Sequence, residues 1–274
     1  MWKNKKKLML GLPYYIWSVI FIVVPLFMVF YYGLTDKTGA FTLSNIAAIA
    51  QAEHAKALWI AVKLSIVSTV ICLILAYPLG MILSKYGKGK SSVLVMLFIL
   101  PMWMNFLLRT MAWQTLLENN GVINSILKFI GLPTLSMINT PGAIVFGMVY
   151  NFLPFMVLPI YNSLEKIDVN MINAARDLGA NSFVTFLKIT LPLSVPGIMS
   201  GITMVFVPAL TTFVISTLLG GSKILLIGNV IEQEFTVSDN WHLGAGLSLV
   251  MMIFILISMA FIARFDKDGE GGMF

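Results

Sequence analysis

The chain alternates between long apolar stretches and short polar segments. Each long stretch reaches roughly the 20 residues that a helix needs to cross a ~30 Å hydrocarbon core. Within each stretch the apolar residues follow one another without the period-two alternation of a barrel strand, which favours helices. The pattern therefore predicts an all-α polytopic membrane protein with a single transmembrane domain, 1–274. We expect six spans, at 12–34, 60–84, 91–113, 141–163, 193–219 and 243–264.

The composition supports a membrane location. The chain is 58% hydrophobic and 11% charged, with a mean hydropathy of +0.90, whereas soluble domains carry about 25% charged residues. The first apolar stretch follows a lysine-rich start, as in a signal peptide. Because it is too long and lacks a small-residue cleavage site, we expect it to remain as a signal anchor.

The distribution of cations predicts the orientation. If the N-terminus is cytoplasmic, 12 of the 18 Lys and Arg residues fall on the cytoplasmic side, in agreement with the positive-inside rule. Both termini and the segment 164–192 are then cytoplasmic. The pI of about 9.4 is accordingly interpreted as a topology signal and not as a sign of nucleic-acid binding.

Catalytic and metal chemistry find little support in the sequence. Cys72, the single cysteine, lies in an apolar stretch and is expected to be a small buried hydrophobe. His54 and His242 are far apart and are expected to be solvated loop residues, so no metal site is predicted. Gly89-Lys90-Ser91 matches the end of a Walker loop, but Ser84 stands where its first glycine belongs. With no catalytic constellation inside the spans, an enzyme is not expected.

Two segments on the predicted outer side are unusual. The segment 114–140 contains Gly121, Gly131 and Pro133 and is expected to form short helices at the membrane surface. The segment 220–242 begins with two glycines and is too short to span. A re-entrant or interfacial turn is therefore expected there, with its backbone buried in protein.

The segment 164–192 carries a spaced pattern, A-A-x-x-x-G-x9-I-x-L-P. We expect a helix up to Leu178, ended by Gly179 in the left-handed conformation. Asn181 or Ser182 would then cap a second helix. An ordinary amphipathic pair of surface helices is the alternative interpretation. The residues of the pattern are Ala174, Ala175, Gly179, Ile189, Leu191 and Pro192.

This pattern resembles the cytoplasmic EAA loop of bacterial ABC importer permeases, which the ATPase subunit grips. We call 164–192 the coupling loop. The glutamate that begins the family's pattern is replaced by Asn173, so the resemblance implies contact through shape and through Arg176 or Asp177. Further stretches, in colinear order over almost the whole chain, are similar to the spermidine/putrescine branch of the family. They are 99–109, 151–166, 174–180 and 219–231.

The resemblance implies a type I ABC importer permease in a bacterial plasma (inner) membrane. Its implied partners are a second permease (PotC-like), a dimer of ATPase subunits (PotA-like) and an extracytoplasmic polyamine-binding protein (PotD-like). ATP and Mg²⁺ would be bound by the ATPase, with no cofactor in this chain, and polyamines would cross by alternating access. A permease for ferric ion, sulfate or another organic cation remains an alternative, because the coupling loop is shared. A standalone channel would leave that loop unexplained.

A polyamine path needs aromatic faces and acceptor oxygens. The candidates are Trp103 and Asn105 in the third span and Tyr150 and Asn151 in the fourth. Arg109 is expected to snorkel to the outer interface or to pair with an acid such as Glu118.

Acidic residues are absent from the middle of every span, which suggests that the binding protein does most of the substrate selection. Three acids lie in the last outer segment, Glu232, Glu234 and Asp239. They could attract a polycation or contact the binding protein, or they could simply be solvated.

Overall fold

The computed structural model describes residues 12–85 and 87–270, without side chains at 87–92, 222 and 265–270. The N-terminal lysines that enter the orientation count, Lys3 and Lys5 to Lys7, lie outside the described residues. Regular structure within the described ranges is helical, apart from one isolated β-bridge between Thr35 and Phe41. The helices are α1 Leu12–Leu34, α2 Ser44–Ala47, α3 Ala52–Lys85, α4 Gly87–Ile99, α5 Phe106–Leu117, α6 Val122–Phe129, α7 Pro141–Glu165, α8 Val169–Asp177, α9 Ser182–Thr211, α10 Val214–Gly220, α11 Ile227–Thr236 and α12 Trp241–Glu270.

Five of these helices are long and apolar enough to cross a membrane: α1, α3, α7, α9 and α12 up to Arg264. A sixth span is possible where α4 and α5 meet. There, Val93–Trp103 and Phe106–Phe129 pass the same test as a pair bent by 84°. The predicted third span is therefore not a straight helix, because the 3-10 turn Leu100–Trp103 contains Pro101 and interrupts it.

The chain divides into two compact units. The first contains the residues up to Lys56 together with Val230–Ile255. In it, α1 and α12 approach closely at Gly33, where an added Cβ would lie 2.6 Å from the side chain of Leu249. The side chain of Asn45 donates to the backbone oxygen of Thr35 at 2.9 Å, which ties α2 to the end of α1.

Both histidines belong to this unit, and the expectation that they are solvated loop residues is wrong. His54 lies in α3 and is buried, with Nδ1 2.7 Å from the carbonyl oxygen of Ala48. His242 lies in α12, with Nδ1 2.6 Å from the carbonyl oxygen of Thr35. Each ring nitrogen thus lies within hydrogen-bonding distance of a backbone carbonyl oxygen. Among the described residues, no group of three His, Cys, Asp or Glu side chains is placed to hold a metal ion.

The second unit contains Ala57–Asn229 with the residues from Leu256 on. Its centre is the packing of α7 against α9. An added Cβ at Gly197 would lie 2.5 Å from the backbone oxygen of Pro159, and one at Gly201 would lie 2.7 Å from the sulfur of Met156. Glycines let these two backbones approach, as in other membrane helix pairs. Cys72 is fully buried in α3, as expected.

The helix α9 differs at both ends from the predicted span 193–219. It begins at Ser182 and passes through a π-turn, Phe186–Thr190, before it reaches Pro192. A proline lacks the N–H that an α-helix needs and its ring crowds the preceding turn, and the wider π-turn lies where that crowding falls. The helix then ends at Thr211, and α10 begins at Val214.

The break between α9 and α10 is held by one buried amide, that of Asn229. Its Nδ2 donates to the backbone oxygen of Phe213 at 3.1 Å and to Oγ1 of Thr217 at 2.8 Å. Its Oδ1 accepts from the backbone N–H of Leu226 at 3.1 Å and from the hydroxyl of Ser216. All four hydrogen-bonding positions of the amide face a partner, so these bonds stabilise the break between the two helices.

Candidate functional site

The coupling loop is a short helix followed by a sharp reversal. Helix α8 begins at the N-cap residue Asp168, whose carboxylate accepts from the backbone N–H of Asn170 at 2.9 Å. A carboxylate at this position also interacts favourably with the helix dipole. The described side chains of α8 are not buried, so the helix projects from the rest of its unit.

The reversal occurs at Gly179, as predicted. This residue has φ +84°, and its N–H donates to the carbonyl of Arg176 at 2.9 Å while Ala180 donates to Ala175 at 3.0 Å. These two bonds form a Schellman motif, in which a left-handed residue satisfies the last carbonyls of a helix. Of the two cap candidates, Asn181 caps the next helix, accepting from the N–H of Val184 at 2.8 Å.

Large apolar side chains of the coupling loop face outward. Leu178 is 90% exposed and Phe183 is 68% exposed, and Met171 is also exposed. Large exposed apolar side chains close together in the sequence of a polar loop favour a docking face. The polar and small residues Asn173, Ala174, Arg176 and Asp177 are exposed beside it, whereas Ala175 is half-buried.

The last residues of the pattern lie on α9 and not on the projecting part. Ile189 belongs to the π-turn and is half-buried, as is Leu191, while Pro192 is exposed. Next to them is a crevice of about 590 Å³ between the ends of α7 and α9, lined by Lys166, Asp168 and Met171 among others. These residues connect the loop to the membrane helices.

The bend between α4 and α5 accounts for Asn105. Its Oδ1 accepts from the N–H groups of Leu107 at 2.9 Å and Leu108 at 3.2 Å, so the side chain is the N-cap of α5. Capping of this helix explains why a polar residue stands in an apolar stretch. Trp103 is 78% exposed and lines a separate pocket with Ile99 and other apolar residues of α4 and the turn.

Arg109 is buried inside the bent pair, with only 7% of its surface exposed. Its Nε donates to Oδ1 of Asn151 at 2.9 Å, and its Nη1 donates to the backbone oxygen of Pro101 at 2.8 Å. Its guanidinium carbon lies 5.6 Å from the centre of the Tyr150 ring. The expectation that Arg109 snorkels or pairs with Glu118 is therefore wrong, because neutral acceptors on α7 and at the bend hold the charge inside.

Asn151 completes what we call the Arg109 cluster, made of Pro101, Arg109, Thr110, Tyr150 and Asn151. The Asn151 amide is 2% exposed and donates to the carbonyl of Gly147 at 2.8 Å and to Oγ1 of Thr110 at 3.5 Å. The structure thus joins two predicted path residues, Tyr150 and Asn151, to Arg109, which was not predicted to line the path. A cation inside a span costs about 2.5–3.5 kcal/mol on insertion scales, which these acceptors offset.

A cavity of about 420 Å³ adjoins the Arg109 cluster. Arg109 and Tyr150 supply its polar wall, and the remaining wall is apolar, with leucines from α3, α4 and α7 together with Phe98, Pro101, Met102 and Pro154. No carboxylate is among the described residues that line it. Such a cavity, mostly apolar with a few convergent polar groups, is the usual form of a ligand site.

The three acids of the last outer segment are partly engaged with their own neighbours. Glu232 accepts from the hydroxyl of Thr236 at 3.0 Å, and Glu234 accepts from the hydroxyl of Ser238 at 3.5 Å. Asp239, at φ +47°, accepts from the indole N–H of Trp241 at 2.7 Å. A carboxylate accepts up to about four hydrogen bonds, so these acids can still bind a further donor.

Sequence reasoning missed two features, the buried Arg109–Asn151 pair and the Asn229 amide. The signal for the first was an arginine in one apolar stretch and an asparagine in the next. Two polar side chains at membrane depth generally need each other as partners. The signal for the second was Asn229 within an otherwise apolar run, where a buried amide needs several hydrogen bonds.

The matching family gives the class of this protein. Residues 76–268 match the family described as binding-protein-dependent transport system inner membrane component. The chain belongs to this family. It is a multi-pass component of a bacterial inner membrane and a transport subunit, not an enzyme.

Individual proteins of the family are similar to this chain over most of its length. The chain is 34% identical over 259 residues to the spermidine/putrescine transport system permease protein PotB of Haemophilus influenzae, covering 92% of this chain and 91% of that protein. It is 36% identical over 245 residues to PotB of Escherichia coli, covering 86% and 89%. The resemblance noted in the sequence is confirmed.

A solved structure supports the fold. The crystal structure of a bacterial ABC transporter involved in the import of the acidic polysaccharide alginate matches with a TM-score of 0.82 at 18% identity, covering 97% of this chain and 98% of that one. The predicted all-α polytopic fold of an ABC importer permease is confirmed.

Proposed function

We propose that this chain is the permease subunit of an ATP-driven importer that carries polyamines, spermidine and putrescine, into the cytoplasm. The observation that carries the proposal is the similarity to PotB proteins over as much as 92% of the chain. Transport would proceed by alternating access at an interface with a second, PotC-like permease. A PotD-like binding protein would deliver the cargo on the outer side.

We further propose that the coupling loop docks on a PotA-like ATPase dimer, which binds ATP and Mg²⁺. The exposed apolar side chains of Leu178 and Phe183 support this role, because apolar anchors surrounded by polar residues are typical of protein interfaces. Asn173, Ala174, Arg176 and Asp177 would form the polar rim. Ile189, Leu191 and Pro192 would transmit the motion of the loop into α9.

The cargo path is proposed to run beside the Arg109 cluster. Tyr150 offers an aromatic face, and Asn151 and Pro101 offer neutral oxygens, which suit an ammonium group without holding it as tightly as a carboxylate would. Trp103 and Asn105, near the bend, would contribute an exposed aromatic face and a helix start. The outer acids Glu232, Glu234 and Asp239 would attract the polycation or contact its binding protein.

The test is uptake of labelled spermidine in cells that lack this chain, with and without the chain restored. Unlabelled putrescine, sulfate and ferric citrate serve as competitors. We expect restored uptake that putrescine blocks and the two other solutes do not. Restored ATPase binding without spermidine uptake would overturn the polyamine assignment and leave an importer for another solute.

A further inference from the structure

The groups that hold Arg109 are the groups that a cargo ammonium would need. Asn151 Oδ1 lies 2.9 Å from Nε and the Pro101 oxygen lies 2.8 Å from Nη1. The ring of Tyr150 lies 5.6 Å from the guanidinium carbon. Two neutral acceptors and an aromatic face form a general cation site, which binds a guanidinium or an ammonium by the same interactions.

Among the side chains that the structure describes, none supplies a counter-ion to Arg109 in this site. The side chain is more than nine-tenths buried, its acceptors Asn151 Oδ1 and the Pro101 oxygen are neutral, and no described carboxylate lines the adjoining cavity of about 420 Å³. A second cation that entered the cavity would meet a like charge and two acceptors already in use. Both effects weaken its binding.

We propose that Arg109 is a tethered competitor of the cargo. Its guanidinium occupies the cation site on Asn151, Pro101 and Tyr150, and a polyamine ammonium binds there only by displacing it. The site is thereby kept weak, so that cargo leaves quickly. This inference rests on the proposed function, because it requires a cationic cargo.

Neutral partners make the displacement reversible. A carboxylate partner would hold the guanidinium in a charge pair that an incoming ammonium could not easily open. With neutral oxygens, one charged donor replaces another and the acceptors remain satisfied. Transport sites generally need this balance, favourable enough to admit the cargo and weak enough to release it.

A purely structural role for Arg109 predicts a different result. In that role the side chain only fastens the bend at Pro101 to α7, and its removal would disorder the site and weaken cargo binding. Competition predicts the opposite sign, because Arg109→Met leaves the acceptors of Asn151 and Pro101 open to the cargo.

The experiment measures equilibrium binding of labelled spermidine to the complete complex in lipid nanodiscs, without ATP and without binding protein. We expect Arg109→Met to raise the affinity by at least about tenfold, the scale of one desolvated cation–π contact plus a charged hydrogen bond. Arg109→Lys should bind spermidine with intermediate affinity, because an ammonium cannot donate through two fixed fork positions. Lys128→Gln, on the exposed face of α6, removes a cation outside the site and should change nothing.

ATP-driven uptake by the same complexes separates the two proposals. Absence of spermidine uptake by the wild-type complex would overturn the polyamine function, whatever residue 109 does. Wild-type uptake with equal or weaker spermidine binding in Arg109→Met would overturn the competitor. If Arg109→Met fails to assemble, Arg109→Lys decides, and affinity no higher than that of the wild type overturns the proposal.

Discussion

The coupling loop and the Arg109 cluster are both polar regions in a chain of apolar helices, but they are built in opposite ways. The loop exposes apolar side chains, Leu178 and Phe183, on a backbone that is satisfied within a few residues. The cluster buries a charge, and its key bond joins residues 42 positions apart. The loop is thus complete in itself and ready for a partner, whereas the cluster depends on the packing of α5 against α7.

The largest expected effect is at the turn of the loop. Gly179→Asp places a side chain at φ +84° and a carboxylate on the proposed docking face, so we expect spermidine uptake and transport-coupled ATP hydrolysis to fall to background. Gly131→Asp is the matched control, because Gly131 has φ +78° and, like Gly179, open space around its Cβ position. Backbone strain should cost each variant about 1–2 kcal/mol.

Normal coupling in Gly179→Asp, with the chain inserted in the membrane, would contradict the docking role. Equal loss in both glycine variants would show that strain, and not docking, is responsible.

The next effect tests how far the cluster depends on its partner. Asn151→Leu removes the acceptor of a buried charged donor, and we expect a loss of about 1–3 kcal/mol in the stability of the complex. Combining it with Arg109→Met should recover most of that loss, because no buried charge is then left without its partner. Thermal unfolding of the two single variants and the double variant measures this coupling; additive losses would argue against the pair.

A smaller effect is expected for the exposed apolar side chains of the loop. Phe183→Ser should weaken binding of the ATPase by about tenfold, the scale of a moderate interface anchor, and should leave the stability of the chain unchanged. Phe129→Ser is the control, since Phe129 is 93% exposed on α6. The fraction of ATPase that co-purifies with each variant is measured over a series of detergent concentrations. Equal retention by both variants would show that Phe183 does not contribute to the interface.

The smallest effect concerns the outer acids. Like the coupling loop they are at least partly exposed to solvent, and their hydrogen bonds are to residues close in sequence. Replacing Glu232, Glu234 and Asp239 together by Gln should lower uptake at limiting spermidine by about two- to threefold, as expected for weakened electrostatic attraction. The difference should vanish at high ionic strength. Unchanged uptake at low salt would assign these acids to the solvated surface.

Sequence patterns predicted what is decided within a few residues. The left-handed Gly179 and the Asn181 cap follow from steric freedom and from side-chain bonds to the nearest N–H groups. Five of the six apolar stretches correspond to helices long enough to cross a membrane, whereas the third corresponds to the bent pair. The chain is similar in sequence to PotB proteins over most of its length, which explains why the family could be recognised from the loop and the neighbouring stretches.

Contacts between helices that are far apart in the sequence could not be predicted from local patterns. The partner of Arg109 lies on α7, and the carbonyl that His242 contacts lies 207 residues earlier. Helix ends were also missed, because the π-turn lets α9 continue through Pro192. Whether a polar residue faces lipid, water or another helix depends on packing, which a single sequence does not display.

The continuity of α9 has a mechanical consequence. From Ser182 to Thr211 the second half of the coupling loop and the membrane helix form one continuous helix, roughly 45 Å long at 1.5 Å per residue. If this helix tilts as a rigid body, a tilt of about 5° at one end displaces the other by roughly 4 Å over that length. The helix ends at Thr211, and the Asn229 amide bonds to the backbone oxygen of Phe213 at the start of the next helix. In the proposed coupling, motion of the loop would therefore be delivered at this joint, at the far end of the helix.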